Sequence, residues 1–204
     1  MFSKWRNRWN AKRLKDEHFA FLFEEDTSGE VVVFDCETTG LNPKKDEIIS
    51  IGAVKIKGNR ILTDEALHLF VRQEKQIDQE SIKIHHIRHC DLENAMPVKE
   101  AIEHFLHYIG SRPLAGYYLE FDVAMVNKYI KPMLGITLPN LQEEVSAIYY
   151  DKKIPRIPQG NIDLRFEAIL NDLSLPKMQA HDALNDAIMT AMIYLKLKNI
   201  KKLH

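Results

Sequence analysis

The stretch Val31-Val32-Val33-Phe34-Asp35-Cys36-Glu37-Thr38-Thr39-Gly40-Leu41 constrains this chain more than any other. Four apolar residues in a row, three of them β-branched, predict a strand buried on both faces. Two carboxylates follow at i and i+2, and side chains alternate along a strand, so Asp35 and Glu37 point to the same side. Burying two acids side by side is costly unless a cation or hydrogen bonds compensate. A divalent metal held by hard oxygen ligands is the simplest compensation. Alone, a D-x-E at a strand tip is as readily a pair of solvated acids, so the rest of the chain decides.

Two hundred and four residues, 45% of them hydrophobic, are enough for one domain with its own core plus an appendage. Basic and acidic residues nearly cancel, 28 against 29, so no global basic field announces nucleic acid. Acids gathered in one site would leave the remaining surface more basic than that balance suggests. Cys36 and Cys90 make no disulfide framework and read as small packing residues in a reducing compartment. No apolar run of about 18 residues exists, and the N-terminus lacks the apolar segment of a secretion signal. These features predict a cytoplasmic protein without a membrane span.

Residues 1–28 read as a basic, amphipathic helical extension ending before Asp26, with residues 29–204 as the main domain. Lys4, Arg6, Arg8, Lys12, Arg13 and Lys15 precede any acid, and Trp5 and Trp9 stand at helical spacing. Such a strip can pack on the domain, or can meet phosphates or a partner protein. Glu47 to Lys57 predicts a second strand, Gly58-Asn59 a hairpin turn, and Arg60 to Arg72 a third, antiparallel strand. Residues 73–96 read as irregular with short helical pieces. Pro97 opens a helix to about Gly110, Leu114-Ala115-Gly116 is a short strand, and Phe121 to Ile130 is a helix. Residues 140–150 and Asp163 to Asn171 are read as helices, with Pro155 and Pro158 punctuating the loop between them. The last helix runs from an Asp182 N-cap to about Lys198.

Three separated acidic spots now line up: Asp35 with Glu37, Asp122 just inside a helix, and Asp186 in the first turn of the last helix with His181 before it. Each alone has an ordinary account, the two helical aspartates as complements to helix dipoles. Together they resemble the DnaQ-like 3′–5′ exonucleases of the DEDDh type, nearest the polymerase III epsilon-like branch. That family carries D-x-E-T-T-G-L on a strand, F-D opening a helix, and H-x4-D at the last helix. Here these are Asp35 to Leu41, Phe121-Asp122, and His181 with Asp186, in order over most of the chain.

Two departures stand out. The family's second motif reads H-N-x-x-F-D, and Tyr117-Tyr118 replace the His-Asn pair. Many members carry H-G-I-T where this chain has His85-His86-Ile87-Arg88, so His85 aligns while His86 and Arg88 do not; both histidines read first as loop or packing residues.

Resemblance and pattern together predict an α/β, ribonuclease H-like mixed sheet: an antiparallel three-strand meander plus parallel strands, flanked by helices, to which the residue pattern adds an extra N-terminal helix. The resemblance implies two divalent cations, Mg²⁺ or Mn²⁺, held by Asp35, Glu37, Asp122 and Asp186. Two such ions about 3.5–4 Å apart supply a nucleophile, charge neutralisation and a stabilised leaving oxygen. His181 is implied as general base, a task its unperturbed pKa near ~6.5 suits, alongside Glu37. Thr38, Thr39, Gly40 and Leu41 are implied as the substrate-binding segment, holding the terminal 3′-OH and wedging the last bases. Gly40 also reads as a turn glycine at positive φ.

The expected reaction releases nucleoside 5′-monophosphates from the 3′ end of single-stranded DNA. Oligoribonucleotides are the alternative substrate, since a contact to a 2′-OH is not legible in one sequence. A polymerase or repair partner could dock on the N-terminal helix. Two rivals compete. One is a haloacid-dehalogenase-like phosphatase, in which the H-x4-D has no role. The other is an inactive exonuclease fold that binds nucleic acid or a polymerase.

Overall fold

The structure, a computed structural model, describes residues 2–74, 77–155 and 161–200, with side chains from Asn7 onward. Pro158 and the side chains of Lys4, Trp5 and Arg6 lie outside that description. Five strands form one mixed sheet in the order β3-β2-β1-β4-β5. The central strand β1 spans Glu30–Thr38. It pairs antiparallel with β2 (Ile48–Lys57), which turns at Gly58-Asn59 into antiparallel β3 (Arg60–Phe70). Gly58 alone takes positive φ in that turn, +58°, the first-position requirement of a type II′ hairpin. On its other side β1 pairs in parallel with β4 (Leu114–Gly116), and β4 with β5 (Gln142–Glu144).

The apolar run of β1 is buried because both faces are covered. Val32, Phe34 and Cys36 enter one layer with Ala101, Ile102 and Phe105 of α3 (Val98–Ile109) and Val123 and Val126 of α4 (Leu119–Leu134). Val31 and Val33 enter the other, against Ala187 and Ala191 of α7 (Ala183–Asn199), with Tyr149 of α5 (Val145–Lys153) and Ile169 of α6 (Phe166–Asp172). Three strands before α3 and two after it thus share one sheet with helices on both sides, the arrangement that sequence and resemblance together predict.

Local expectations needed correction in four places. The N-terminal segment is not one helix to residue 25. It is α1 (Phe2–Ala11), a turn, and a 3-10 turn at Glu17–Phe23. The Lys15 N–H bonds to Leu134 O, and the Asp16 side chain accepts from His18 N, so the chain leaves its helical path there. Phe19 and Leu22 are buried in the core, while Asn7 and Asn10 fasten α1 to the carbonyls of Pro139 and Thr137. Residues 142–144 extend beside β4 rather than starting a helix, with α5 beginning at Val145. Helix α4 is longer than predicted at both ends and carries Pro132 in its last turn. Cys90 is exposed rather than packed; Cys36 is buried, and both are free thiols. The short α2 (Gln79–His85) occupies part of the irregular stretch after β3.

Candidate active site: an acidic cluster at the end of the central strand

Asp35 and Glu37 follow the alternation of β1, so both face the α7 side of the sheet with Val31 and Val33. What brings α7 to them is a glycine. Gly52 of β2 lies directly across from Asp35, and a Cβ there would stand 2.2 Å from the Ala183 carbonyl carbon and the Leu184 nitrogen. Only bare backbone lets the first turn of α7 rest on the strand. The Asp182 side chain caps that turn by accepting from Asn185 N at 2.9 Å. The next carboxylate, Asp186, then meets the strand acids. One oxygen each from Asp35, Glu37 and Asp186 lie within 4.8 Å of one another.

Such crowding has an electrostatic signature. Burial pushes the Asp35 carboxyl well above the ordinary range, and the charges of Asp122, Asp186 and Glu37 push it further. Burial, with Asp186 and Asp182 beside it, raises Glu37 to about 7. Burial raises Asp186 to about 6 against the opposing pull of the His181 backbone N–H and ring. Asp122 is also driven well upward by burial, although Cys36 hydrogen bonds resist. Its Oδ1 accepts from Cys36 N at 3.1 Å, so it sits beside the cluster with one oxygen engaged by the strand between the other two acids.

The donor set fits a hard divalent cation. Asp186 Oδ1 is buried with no hydrogen-bond partner, while its Oδ2 accepts from His181 N at 3.0 Å. An unpaired anionic oxygen aimed among carboxylates is stabilised by a cation and by little else. His181 lies outside the helix in a left-handed conformation, φ 60°, with an exposed side chain next to Asp186.

The segment after Glu37 is tightly organised. Thr38 Oγ1 donates to Gly40 O, Glu47 N donates to Thr39 Oγ1, and the Asp46 carboxylate accepts from Asn42 N at 2.7 Å. Gly40 does not need positive φ, contrary to expectation. A Cβ there would stand 2.6 Å from Asp46 Oδ2, so a side chain would displace the Asp46 carboxylate from its bond to Asn42 N. Leu41 projects into solvent, 84% exposed.

Two supports escaped sequence reasoning. Gly52 carries a legible signal, a glycine inside an apolar strand. The other is a relay behind Thr38, and the only hint of it was the alignment of His85. Ile87 N donates to His85 Nδ1, so Nε2 carries the proton and faces Ser81 Oγ at 3.1 Å. Ser81 Oγ in turn donates to Thr38 O at 3.1 Å. The two tyrosines part company. Tyr117 packs on Phe166 and donates to Leu164 O, while Tyr118 stands in solvent at the head of α4.

The exonuclease family model RNase_T matches residues 32–194. A PolC-type DNA polymerase III from Thermotoga maritima is 29% identical over 183 residues, 89% of this chain and 13% of that protein. The chain therefore spans about an eighth of the PolC-type polymerases it matches. The DNA polymerase III epsilon subunit of Aquifex aeolicus is 27% identical over 83% of this chain and 80% of its own length. Among solved structures, E. coli exonuclease I in complex with a dT13 oligonucleotide superposes with a TM-score of 0.67 at 15% identity. That match covers 84% of this chain and 41% of that one. With the family model spanning the central strand, the acidic cluster and most of the last helix, this chain belongs to the RNase_T exonuclease family.

Proposed function

We propose that the chain is a metal-dependent 3′–5′ exonuclease of the DEDDh type that removes nucleoside 5′-monophosphates from single-stranded DNA. The observation that carries this reading is the convergence of Asp35, Glu37 and Asp186, with Asp186 Oδ1 buried and unpaired. With Asp122 beside them, these residues would hold two divalent cations, Mg²⁺ or Mn²⁺. Bound there, the cations neutralise charge at the scissile phosphate and lower the pKa of water. His181, outside the helix and exposed, takes the proton from the attacking water at an imidazole nitrogen. Its backbone N–H meanwhile holds Asp186 in place. Thr38, Thr39 and Gly40 form a stiff ledge, braced by Asp46 and Ser81, that receives the 3′-terminal sugar. The solvent-exposed Leu41 wedges against the last bases.

DNA is favoured because the matched relatives are DNA polymerase III chains and a structural neighbour holds a dT13 strand. Exposed Arg8, Trp9, Lys12 and Arg13 near the N-terminus form a surface for a polymerase, a repair partner or the strand's backbone.

The test uses 5′-labelled DNA and RNA strands of identical sequence with Mg²⁺, Mn²⁺ or EDTA. Asp35→Asn and His181→Ala proteins run alongside. The expected result is a ladder shortening from the 3′ end, faster on DNA, lost in EDTA and in both variants. Faster RNA shortening would reassign the substrate. A folded protein that binds either strand and cuts neither would leave a binding module.

A further inference from the structure

Four non-glycine residues among those described take positive φ: His86, Tyr118, Ser174 and His181. Tyr118 is the bulkiest, at φ 55° and ψ 35°. Left-handed backbone suits asparagine and glycine and strains a residue with a large side chain. Tyr118 stands where the exonuclease motif carries asparagine, so the chain has exchanged a tolerant residue for a strained one, one turn before Asp122.

Among the described residues, no side-chain hydrogen bond to the helix cap offsets that strain. Tyr118 makes no side-chain cap to α4; the Leu119 N–H is satisfied by Glu144 Oε2 instead. Its neighbour Tyr117 already supplies the packing contact on Phe166 and the bond to Leu164 O. The Tyr118 ring is 59% exposed, yet it is not loose. It lies within 11° of parallel to Phe121, ring centres 6.1 Å apart, and Phe121 is the residue preceding Asp122. Beside the ring opens a recess of about 360 Å³, lined also by Glu120, Gln142 and Glu144. Two carboxylates in that lining, Glu120 and Glu144, disfavour a phosphate there, so a strand passing this point would present a base rather than its backbone.

We propose that Tyr118 is a stacking platform for a nucleobase of the substrate strand near its 3′ end, and so a specificity-determining residue of this site. The inference rests on the reading of the chain as a nuclease for single strands. The ring takes a base face to face, a contact that tolerates any base and depends on one being present. The left-handed backbone leaves the ring exposed at the head of α4.

The test measures binding on the full chain carrying Asp186→Asn, so that no strand is consumed. The probe is a fluorescein-labelled 12-nucleotide DNA strand, intact or with an abasic residue at one of its last three positions. The protein with Tyr118 is expected to bind the intact strand about tenfold more tightly than the abasic one. Tyr118→Asn is expected to raise the melting temperature by about 2–4 °C. It should also weaken the intact strand about tenfold and erase the discrimination. Tyr118→Phe should restore both affinity and discrimination. Three results overturn the proposal: Tyr118→Asn binding both strands as before, Tyr118→Asn melting lower than its parent, or no strand binding at all. If the parent discriminates against the abasic strand while wild-type protein never shortens DNA, the stacking site stands and the nuclease reading falls. If wild-type protein shortens DNA and Tyr118→Asn changes nothing, the reverse holds.

Discussion

Asp186→Asn should make the metal-free protein more stable while abolishing its activity. Burial raises Asp186 from 3.8 to about 6, roughly two units, or about 3 kcal/mol at 1.36 kcal/mol per unit. The folded value is above the unfolded one, so the folded protein holds its proton more firmly. The stability linked to this group is therefore complete below 3.8 and is lost as pH rises through about 6. At pH 8 the wild-type site carries the whole penalty, and asparagine removes it. The amide oxygen can still accept from His181 N, so the local geometry is kept. Glu37, raised to about 7 partly by Asp186, relaxes in the same direction. The expected gain in EDTA at pH 8 is about 3 kcal/mol, or about 6–12 °C in melting temperature. At pH 4 it shrinks to about half a kcal/mol, because the wild-type carboxyl is then already protonated in the fold. Added Mn²⁺ should raise the wild type more than the variant, since a ligand bound only by the folded state stabilises it. Thermal unfolding in EDTA and in Mn²⁺, at both pH values, measures all of this. A variant no more stable than wild type at pH 8, or a gain equal at the two pH values, would refute the electrostatic account of the cluster.

Gly52→Ala sets a methyl group against the Ala183 and Leu184 backbone, which cannot swing aside as a side chain could. It should cost about 1–3 kcal/mol by thermal melting. By moving Asp186, it should lower kcat about a hundredfold; wild-type stability and rate together would contradict the seat proposed for α7. Ser81→Ala leaves His85 Nε2 and Thr38 O without the hydroxyl between them, so urea unfolding should show a loss of about 1–3 kcal/mol. Burial alone would raise Glu30, but hydrogen bonds from Lys57 and Arg112 outweigh it and hold its pKa below 4.5. The folded value is below the unfolded one, so its contribution is present above about 4.5 and is lost as pH falls through the folded value. Glu30→Gln should flatten that acid limb of stability and leave the neutral limb parallel to wild type.

The parts of this molecule that were legible in its sequence are those whose cause is local. An apolar run followed by D-x-E can be read as a buried strand because burial on both faces and period-two alternation act within a few residues. The Asp182 cap and the alanine-rich face of α7 are equally local. Where distant groups decide, the sequence was silent or misleading. The apolar face continuing into Phe19 and Leu22 predicted one helix, yet Leu134 O, on a distant helix, captures the Lys15 N–H and breaks it. Gln142-Glu143-Glu144 has little strand propensity and is extended only because β4 offers it a parallel edge.

The acids of the candidate site belong to both classes. Their spacing along the chain was visible, but their meeting depends on Gly52, whose value lies in the helix it admits from more than a hundred residues away. The Tyr118 exchange follows the same division. That a tyrosine had replaced an asparagine was plain from the motif, but its cost was not, because the left-handed backbone is set by the junction of β4 with α4. On the stacking proposal, substrate contact rather than the fold accounts for a bulky, exposed ring in a left-handed conformation one turn before Asp122.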